Sequence, residues 1–115
     1  MYYMSKFLIK KYSNKTLCDI LKENNILVVQ EPLGSIGGYY NEINDQKIIH
    51  VNSDLSTWYS MFVIAYQLYN AINNIEYKFW FNNSHDYRSE AFIFAIELIG
   101  YDRGKTNNDC TAVMA

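Results

Sequence analysis

This chain of 115 residues contains few of the residues from which metal sites and rigid turns are built. It has two cysteines, two histidines and one proline. Cys18 and Cys110 are too few and too far apart for a zinc motif, and because no secretory signal is visible we expect both to be free thiols. His50 and His85 are also widely separated in the sequence. The sequence therefore predicts neither a metal site nor a cofactor.

An excess of one charge and long apolar runs are also missing. Ten basic residues face twelve acidic ones, and the formal net charge is -2. A nucleic-acid surface usually needs a broad basic stripe, so no direct contact with nucleic acid is expected. No apolar run reaches the length of a membrane span, and the N-terminus lacks the pattern of a signal peptide. We expect a cytoplasmic protein that has no contact with a membrane.

Aromatic side chains are abundant. Half of the chain is apolar, and it contains eleven tyrosines, six phenylalanines and two tryptophans. A chain of this length can bury one core but not two. We therefore predict a single domain over 1–115, with its core at about 17–100 and a tail over 101–115.

Apolar spacing and turn residues predict an α+β fold in which a small three-stranded antiparallel sheet packs against helices. The hairpin turn is assigned to Asn44 and Asp45, which favour two-residue turns. The predicted elements are a helix over 5–24 broken near 13–14, strands over 26–30, 36–41 and 47–51, a central helix at about 55–74, and a last helix over 86–100.

The central helix carries polar groups in a stretch, "VIAYQLYNAINN", that otherwise resembles core. Tyr66 and Asn70 share a helix face, and Gln67 borders it. Phenols and neutral amides are poor zinc ligands and poor bases near neutral pH, but they are adaptable hydrogen-bond partners. Two interpretations stay open, namely satisfied core groups and a binding surface. The connector after this helix, with Tyr77, Phe79 and Trp80, is too aromatic to lie free in water, so it either packs on the core or meets a partner.

The order and spacing of two segments carry a resemblance to a known family. "GGYYNEINDQKIIHVNSDLSTWYSMFVIAYQLYNAI", followed by "RSEAFIFAIELIG", resembles the ImmA/IrrE family of metallopeptidase-like domains, often encoded on phages and conjugative elements. The resemblance spans about 17–100 and implies a zincin-like core around the central helix. The matching scaffold positions are Gly38, Tyr40, Ile49, Asn52, Leu55, Ala65, Leu68, Ala91, Phe94, Ala95, Leu98 and Ile99.

The positions that hold the family's chemistry do not match. Where the family has its zinc-binding helix motif Ala-His-Glu-Leu-Gly-His, the resemblance places Tyr66 at the first histidine, Gln67 at the catalytic glutamate and Asn70 at the second histidine. Tyr69 stands at the glycine. The acidic third ligand falls on Arg88, or on Glu90 if the register is read two residues later.

The resemblance thus implies a degenerate site with no catalytic and no metal-binding residues. We expect a domain that is not an enzyme and that binds another protein, such as a repressor or other regulator from the same mobile element. Tyr, Trp and Arg are common interface anchors. The candidate partner-binding residues are Tyr66, Tyr69, Asn70, Tyr77, Phe79, Trp80 and Arg88.

Two alternatives belong to other classes of function. One is a hydrolase with a non-standard site in which the fold brings His50, His85 and Glu90 together. The other is a structural protein that self-associates and buries its aromatic connector in a homodimer.

Overall fold

The computed structural model describes residues 3–80, 89–102 and 112–113, and it confirms an α+β architecture. Helices and strands follow the predicted order through the central helix. Their bounds are α1 (Tyr3–Lys11), α2 (Leu17–Glu23), β1 (Ile26–Glu31), β2 (Ile36–Ile43), β3 (Gln46–Asn52), α3 (Thr57–Ile72), β4 (Phe79–Trp80), α4 (Glu90–Asp102) and β5 (Ala112–Val113). No helix within the described ranges combines the length and the apolar character that a membrane span requires.

The sheet is mixed, so the prediction of an antiparallel sheet is wrong for one pair of its three longer strands. Its order is β4-β2-β3-β1-β5. β2 and β3 form the expected antiparallel hairpin, whereas β1 pairs with β3 in parallel, with Ile26 opposite Lys47 and Glu31 opposite Asn52. β3 lies between β2 and β1, so β1 and β2 do not pair with each other. The prediction failed because it assumed that strands adjacent in sequence pair with each other.

The predicted hairpin turn and the predicted break in the first helix are confirmed. Asn44 and Asp45 have positive φ angles of 50° and 67°, as a two-residue hairpin turn requires. Ser56 is the N-cap of α3, and its hydroxyl accepts a hydrogen bond from the backbone N–H of Tyr59. The break in the first predicted helix separates α1 from α2, whose N-cap Thr16 forms a capping box with Asp19.

The ends of the chain contribute more than the sequence predicted. Leu8 and Ile9 of α1, and Tyr12 directly after it, are buried in the same core as α3 and α4, so the core begins before residue 17. β5 lies within the predicted tail, and its two residues pair with β1. Cys18 is disulfide-bonded, which corrects the expectation of a free thiol at this residue; Cys110 lies outside the described residues. That expectation rested on the cellular compartment, which carries no information about the distance between two sulfur atoms.

Helix α3 lies so close to the sheet that one strand position must be glycine. A Cβ atom on Gly38 would be 2.6 Å from Val63 Cγ1 and 2.8 Å from the carbonyl oxygen of His50. Gly38 is paired with Val51, which is fully buried, so this face of the sheet is the one that α3 covers. Lys47 on the same strand as Val51 donates to the carbonyl oxygen of Ala71 near the end of α3.

We predict that Gly38→Ala destabilises the protein by about 2 kcal/mol, because the added methyl group meets a backbone carbonyl that cannot move aside. Thermal or urea unfolding followed by circular dichroism measures this change. Gly100→Ala is the matched control, since a Cβ at Gly100 in α4 meets nothing within 4 Å. The control should be neutral or stabilising by up to about 1 kcal/mol. Equal stability of Gly38→Ala and wild type would contradict the close packing.

Candidate functional site

The side chain of Gln67 is a buried tie between three parts of the chain. It has no exposed surface, and its Nε2 donates to the carbonyl oxygens of Gly38 at 3.2 Å and Tyr77 at 2.9 Å. Gly38 is in β2 and Tyr77 follows α3. One amide nitrogen therefore fixes the strand, the helix and the connector relative to each other.

The orientation of Asn70 follows from that of Gln67. Because two carbonyl oxygens hold Gln67 Nε2, its Oε1 is the atom left for Asn70, whose Nδ2 donates to it at 3.4 Å. The Asn70 side chain is 3% exposed, and its own Oδ1 accepts no hydrogen bond from the residues that the structure describes. A buried acceptor without a donor is uncommon in proteins, so this oxygen marks a place where a ligand's donor would fit.

A cavity of about 320 Å³ lies next to these amides. Four of the predicted former active-site positions, Tyr66, Tyr69, Asn70 and Glu90, line it together. Gln67 is joined to the cavity through Asn70 rather than lining it. Arg88 lies outside the described residues. Of the two candidates for the family's acidic third ligand, Arg88 and Glu90, only Glu90 can therefore be located. The described lining residues are Tyr66, Tyr69, Asn70, Ile75, Tyr77, Ser89, Glu90 and Ala91.

Glu90 binds the first turn of α1. Its Oε1 accepts hydrogen bonds from the backbone N–H groups of Met4 at 2.9 Å and Ser5 at 3.1 Å. These N–H groups have no partner within a helix, and a carboxylate there also interacts favourably with the helix dipole. Burial, the Glu90 charge and a hydrogen bond to Glu90 raise the pKa of Tyr69 to about 12. The Tyr69 phenol is therefore protonated at neutral pH and acts as a donor to the carboxylate.

The predicted partner-binding residues fall into three groups. Tyr66, Tyr69 and Asn70 are buried residues of α3 that line the cavity, and Tyr77 lines it while keeping 41% of its surface exposed. Phe79 and Trp80 form β4, whose backbone pairs with β2 near Gly38. Arg88 has no described place.

Sequence reasoning missed three lining residues, Ile75, Ser89 and Ala91, of which Ala91 was predicted only as a scaffold position. Ile75 is 47% exposed, and its backbone N–H donates to the carbonyl oxygen of Asn70 at 2.8 Å. An apolar residue directly after the end of a helix is a usable signal for such a position. Ser89 offers none, since serine is common before helices.

The donor set of the cavity does not fit zinc. Zinc sites in proteins use cysteine, histidine and carboxylate ligands. Here phenols, one amide and one carboxylate come together, and that carboxylate already accepts three hydrogen bonds. Within the described residues, no group of three histidine, cysteine or acidic side chains lies close enough to hold a metal ion. The cavity can accept hydrogen bonds and offer aromatic contacts.

His50 belongs to a separate cluster on the other face of the sheet. Its Nδ1 is 2.5 Å from Glu31 Oε2, its Nε2 is 2.9 Å from Asn41 Oδ1, and its ring stacks on Tyr39 with centroids 4.4 Å apart. Its strand neighbour Val51 points toward α3, so the side chain of His50 points away from α3. The structure therefore does not bring His50 together with Glu90, and His85 lies outside the described residues.

Comparisons of the chain with protein-family models, with curated proteins and with solved structures found no match. The side chains around the cavity are therefore the basis for proposing a function.

We predict that Gln67→Glu destabilises the protein increasingly as the pH rises. A buried carboxylate would face two carbonyl oxygens, which raises its folded-state pKa above the unfolded value of about 4.3. The protonated form can donate to one carbonyl, so the variant should be most stable, relative to wild type, below about pH 4. The deficit should grow through the folded-state pKa and reach roughly 3 kcal/mol by pH 8.

The measurement is urea unfolding of both proteins at matched pH values, expressed as the difference in unfolding free energy. Gln67→Met is the control, since it removes the same donor without adding a titratable group. Its deficit should be constant with pH. A constant deficit for Gln67→Glu as well would mean that Gln67 does not face the two carbonyl oxygens.

Proposed function

We propose that this protein is a catalytically inactive ImmA/IrrE-like domain that works in the cytoplasm by binding another protein. The partner we propose is a repressor or other regulator encoded on the same phage or mobile element. The observation that carries the proposal is the convergence of Tyr66, Tyr69, Asn70 and Glu90 on one cavity. Tyr66, Asn70 and Glu90 stand where the resemblance places zinc ligands, and Tyr69 stands where it places a glycine. Of these residues only Glu90 has a side chain suited to zinc.

The hydrogen bonds of Gln67 support the absence of catalysis. At the position that the resemblance matches to Gln67, active members of the family have a glutamate, which takes a proton from a metal-bound water. An amide cannot take that proton, and Gln67 Nε2 is occupied by two backbone carbonyls. The side chain has a structural role that a carboxylate cannot perform at neutral pH.

Binding is supported by what stays exposed around the cavity. Ile75 and Tyr77 line it with nearly half of their surfaces in solvent, although both are large and apolar or aromatic. Partly exposed aromatic residues beside a pocket are typical anchors of a protein interface. The two interpretations of the polar groups therefore apply to different residues: Gln67 is a satisfied core group, and the cavity with its rim is the binding surface.

Of the two alternatives, the hydrolase has less support, because His50 and Glu90 lie on opposite sides of the sheet. Self-association would use the same exposed rim, and the following experiment separates it from binding of a different protein.

We expect p-benzoylphenylalanine at position 77 to crosslink to a partner in the native host, since Tyr77 is 41% exposed at the cavity. The same probe at Ile43 is the matched control, because Ile43 is 51% exposed at the hairpin end of β2. Mass spectrometry of the adducts should identify a regulator with the probe at position 77 and not at 43. Identical adducts at both positions would contradict the cavity surface, and an adduct of two copies of this chain would favour self-association.

We also predict that Tyr66→His combined with Asn70→His creates a zinc site. The variant places two imidazoles at i and i+4 on α3, beside a cavity that Glu90 also lines. Elemental analysis after dialysis should find about one zinc per chain in the variant and much less in wild type. Adding Glu90→Gln should weaken the affinity. Stoichiometric zinc in wild type, or none in the variant, would contradict this account of the site.

A further inference from the structure

We propose that the cavity binds a basic side chain, arginine or lysine, of the partner protein. This inference rests on the proposed function and names the chemistry that the cavity recognises. The observation that supports it is that tyrosine rings, the Glu90 carboxylate and the buried amide of Asn70 line the same cavity.

Tyrosine rings form a large part of the lining. The centroids of Tyr66 and Tyr77 are 6.2 Å apart with an angle of 42° between the ring planes, and Tyr69 lies on the same side of α3. Because both rings line the cavity, a cation bound there lies close to aromatic side chains. Ammonium and guanidinium groups are attracted to the electron-rich face of an aromatic ring, most strongly where water is excluded.

Glu90 supplies a formal negative charge. It is the only charged side chain among the described lining residues. Its carboxylate accepts two backbone N–H groups and the Tyr69 hydroxyl. Because a carboxylate has about four acceptor positions, one remains for a further donor. A cation gains both this hydrogen bond and the attraction of the charge, whereas an anion would be repelled.

Asn70 Oδ1 adds a second acceptor. It is buried, it accepts no hydrogen bond from the described residues, and the Gln67 amide fixes its orientation. An arginine or lysine head group carries several donors and no acceptor, so it matches two separate acceptors. Ile75 and Tyr77 at the rim can pack against the alkyl part of such a side chain.

N-acetyl-L-arginine amide is the probe, and N-acetyl-L-citrulline amide is its matched control, with nearly the same shape and no charge. Titration into the labelled protein, followed by NMR shifts, gives both dissociation constants. We expect the arginine compound to bind at least about tenfold more tightly and to shift the signals of Tyr77 and Asn70. Equal affinity of the two compounds, or no binding of the arginine compound, would overturn the proposal.

Two variants test the groups involved. Tyr77→Leu keeps an apolar side chain at an exposed position but removes the ring, so the arginine probe should bind about fivefold less tightly, while Tyr77→Phe should bind as wild type does. Glu90→Gln should weaken binding by about tenfold or more. Circular dichroism checks that each variant is folded. If Tyr77→Leu binds as tightly as Tyr77→Phe, the aromatic part of the proposal is wrong.

A further titration uses free L-arginine as the probe and tests whether the natural ligand is a protein side chain or a small cationic metabolite. Markedly tighter binding of the free amino acid than of the blocked form would indicate a metabolite and overturn the assignment to a partner side chain. The crosslinking experiment is independent of both probes. A partner that crosslinks at position 77 without any arginine-probe binding would leave the protein-binding function standing and remove only this inference.

Discussion

The close approach of α3 to the sheet at Gly38 is the constraint on which the rest of the structure depends. The absence of a side chain at Gly38 lets Val63 and the strand backbone come within contact distance. At that separation the Gln67 side chain is long enough to reach the carbonyl oxygen of Gly38. The same nitrogen also reaches the carbonyl oxygen of Tyr77, which places the connector beside the helix. The absence of a Cβ at Gly38 thus determines the position of Tyr77 at the rim of the cavity.

The chemistry of position 67 follows from the same geometry. Both neighbours of its terminal nitrogen are carbonyl oxygens, so the side chain there must donate hydrogen bonds. Glutamate at neutral pH has only acceptors, and a buried carboxylate without donors is costly. The residue that would serve catalysis and the residue that holds this connector are therefore mutually exclusive at this position. A protein that relies on these two hydrogen bonds cannot have a glutamate at this position, which supports the proposal of a domain that binds a partner and does not catalyse a reaction.

The sequence predicted what depends on neighbours along the chain. Asn44 and Asp45 identify the hairpin turn, and the apolar spacing of α3 identifies the central helix, because both signals are local. Pairing of β1 with β3 in parallel was not predictable in this way, since it depends on which strand takes the middle place in the sheet. The same holds for Glu90, whose partners Met4 and Ser5 are at the other end of the chain. The resemblance suggested that Tyr66, Asn70 and Glu90 converge. Only the packed structure shows the hydrogen bonds, which distinguish the satisfied amide of Gln67 from Asn70, whose Oδ1 has no donor among the described residues.

The position of Glu90 also supports the proposed selectivity of the cavity, where Glu90 is the only charged side chain among the described lining residues. Two backbone N–H groups of α1 and the Tyr69 hydroxyl hold the carboxylate in one orientation before any ligand arrives. Asn70 is oriented in the same way by Gln67. Groups that are already fixed lose little conformational entropy on binding, so more of each contact's energy contributes to affinity. Helix α1, whose Leu8 and Ile9 are buried in the core, therefore contributes to the proposed recognition through its contact with Glu90, although none of its described residues lines the cavity.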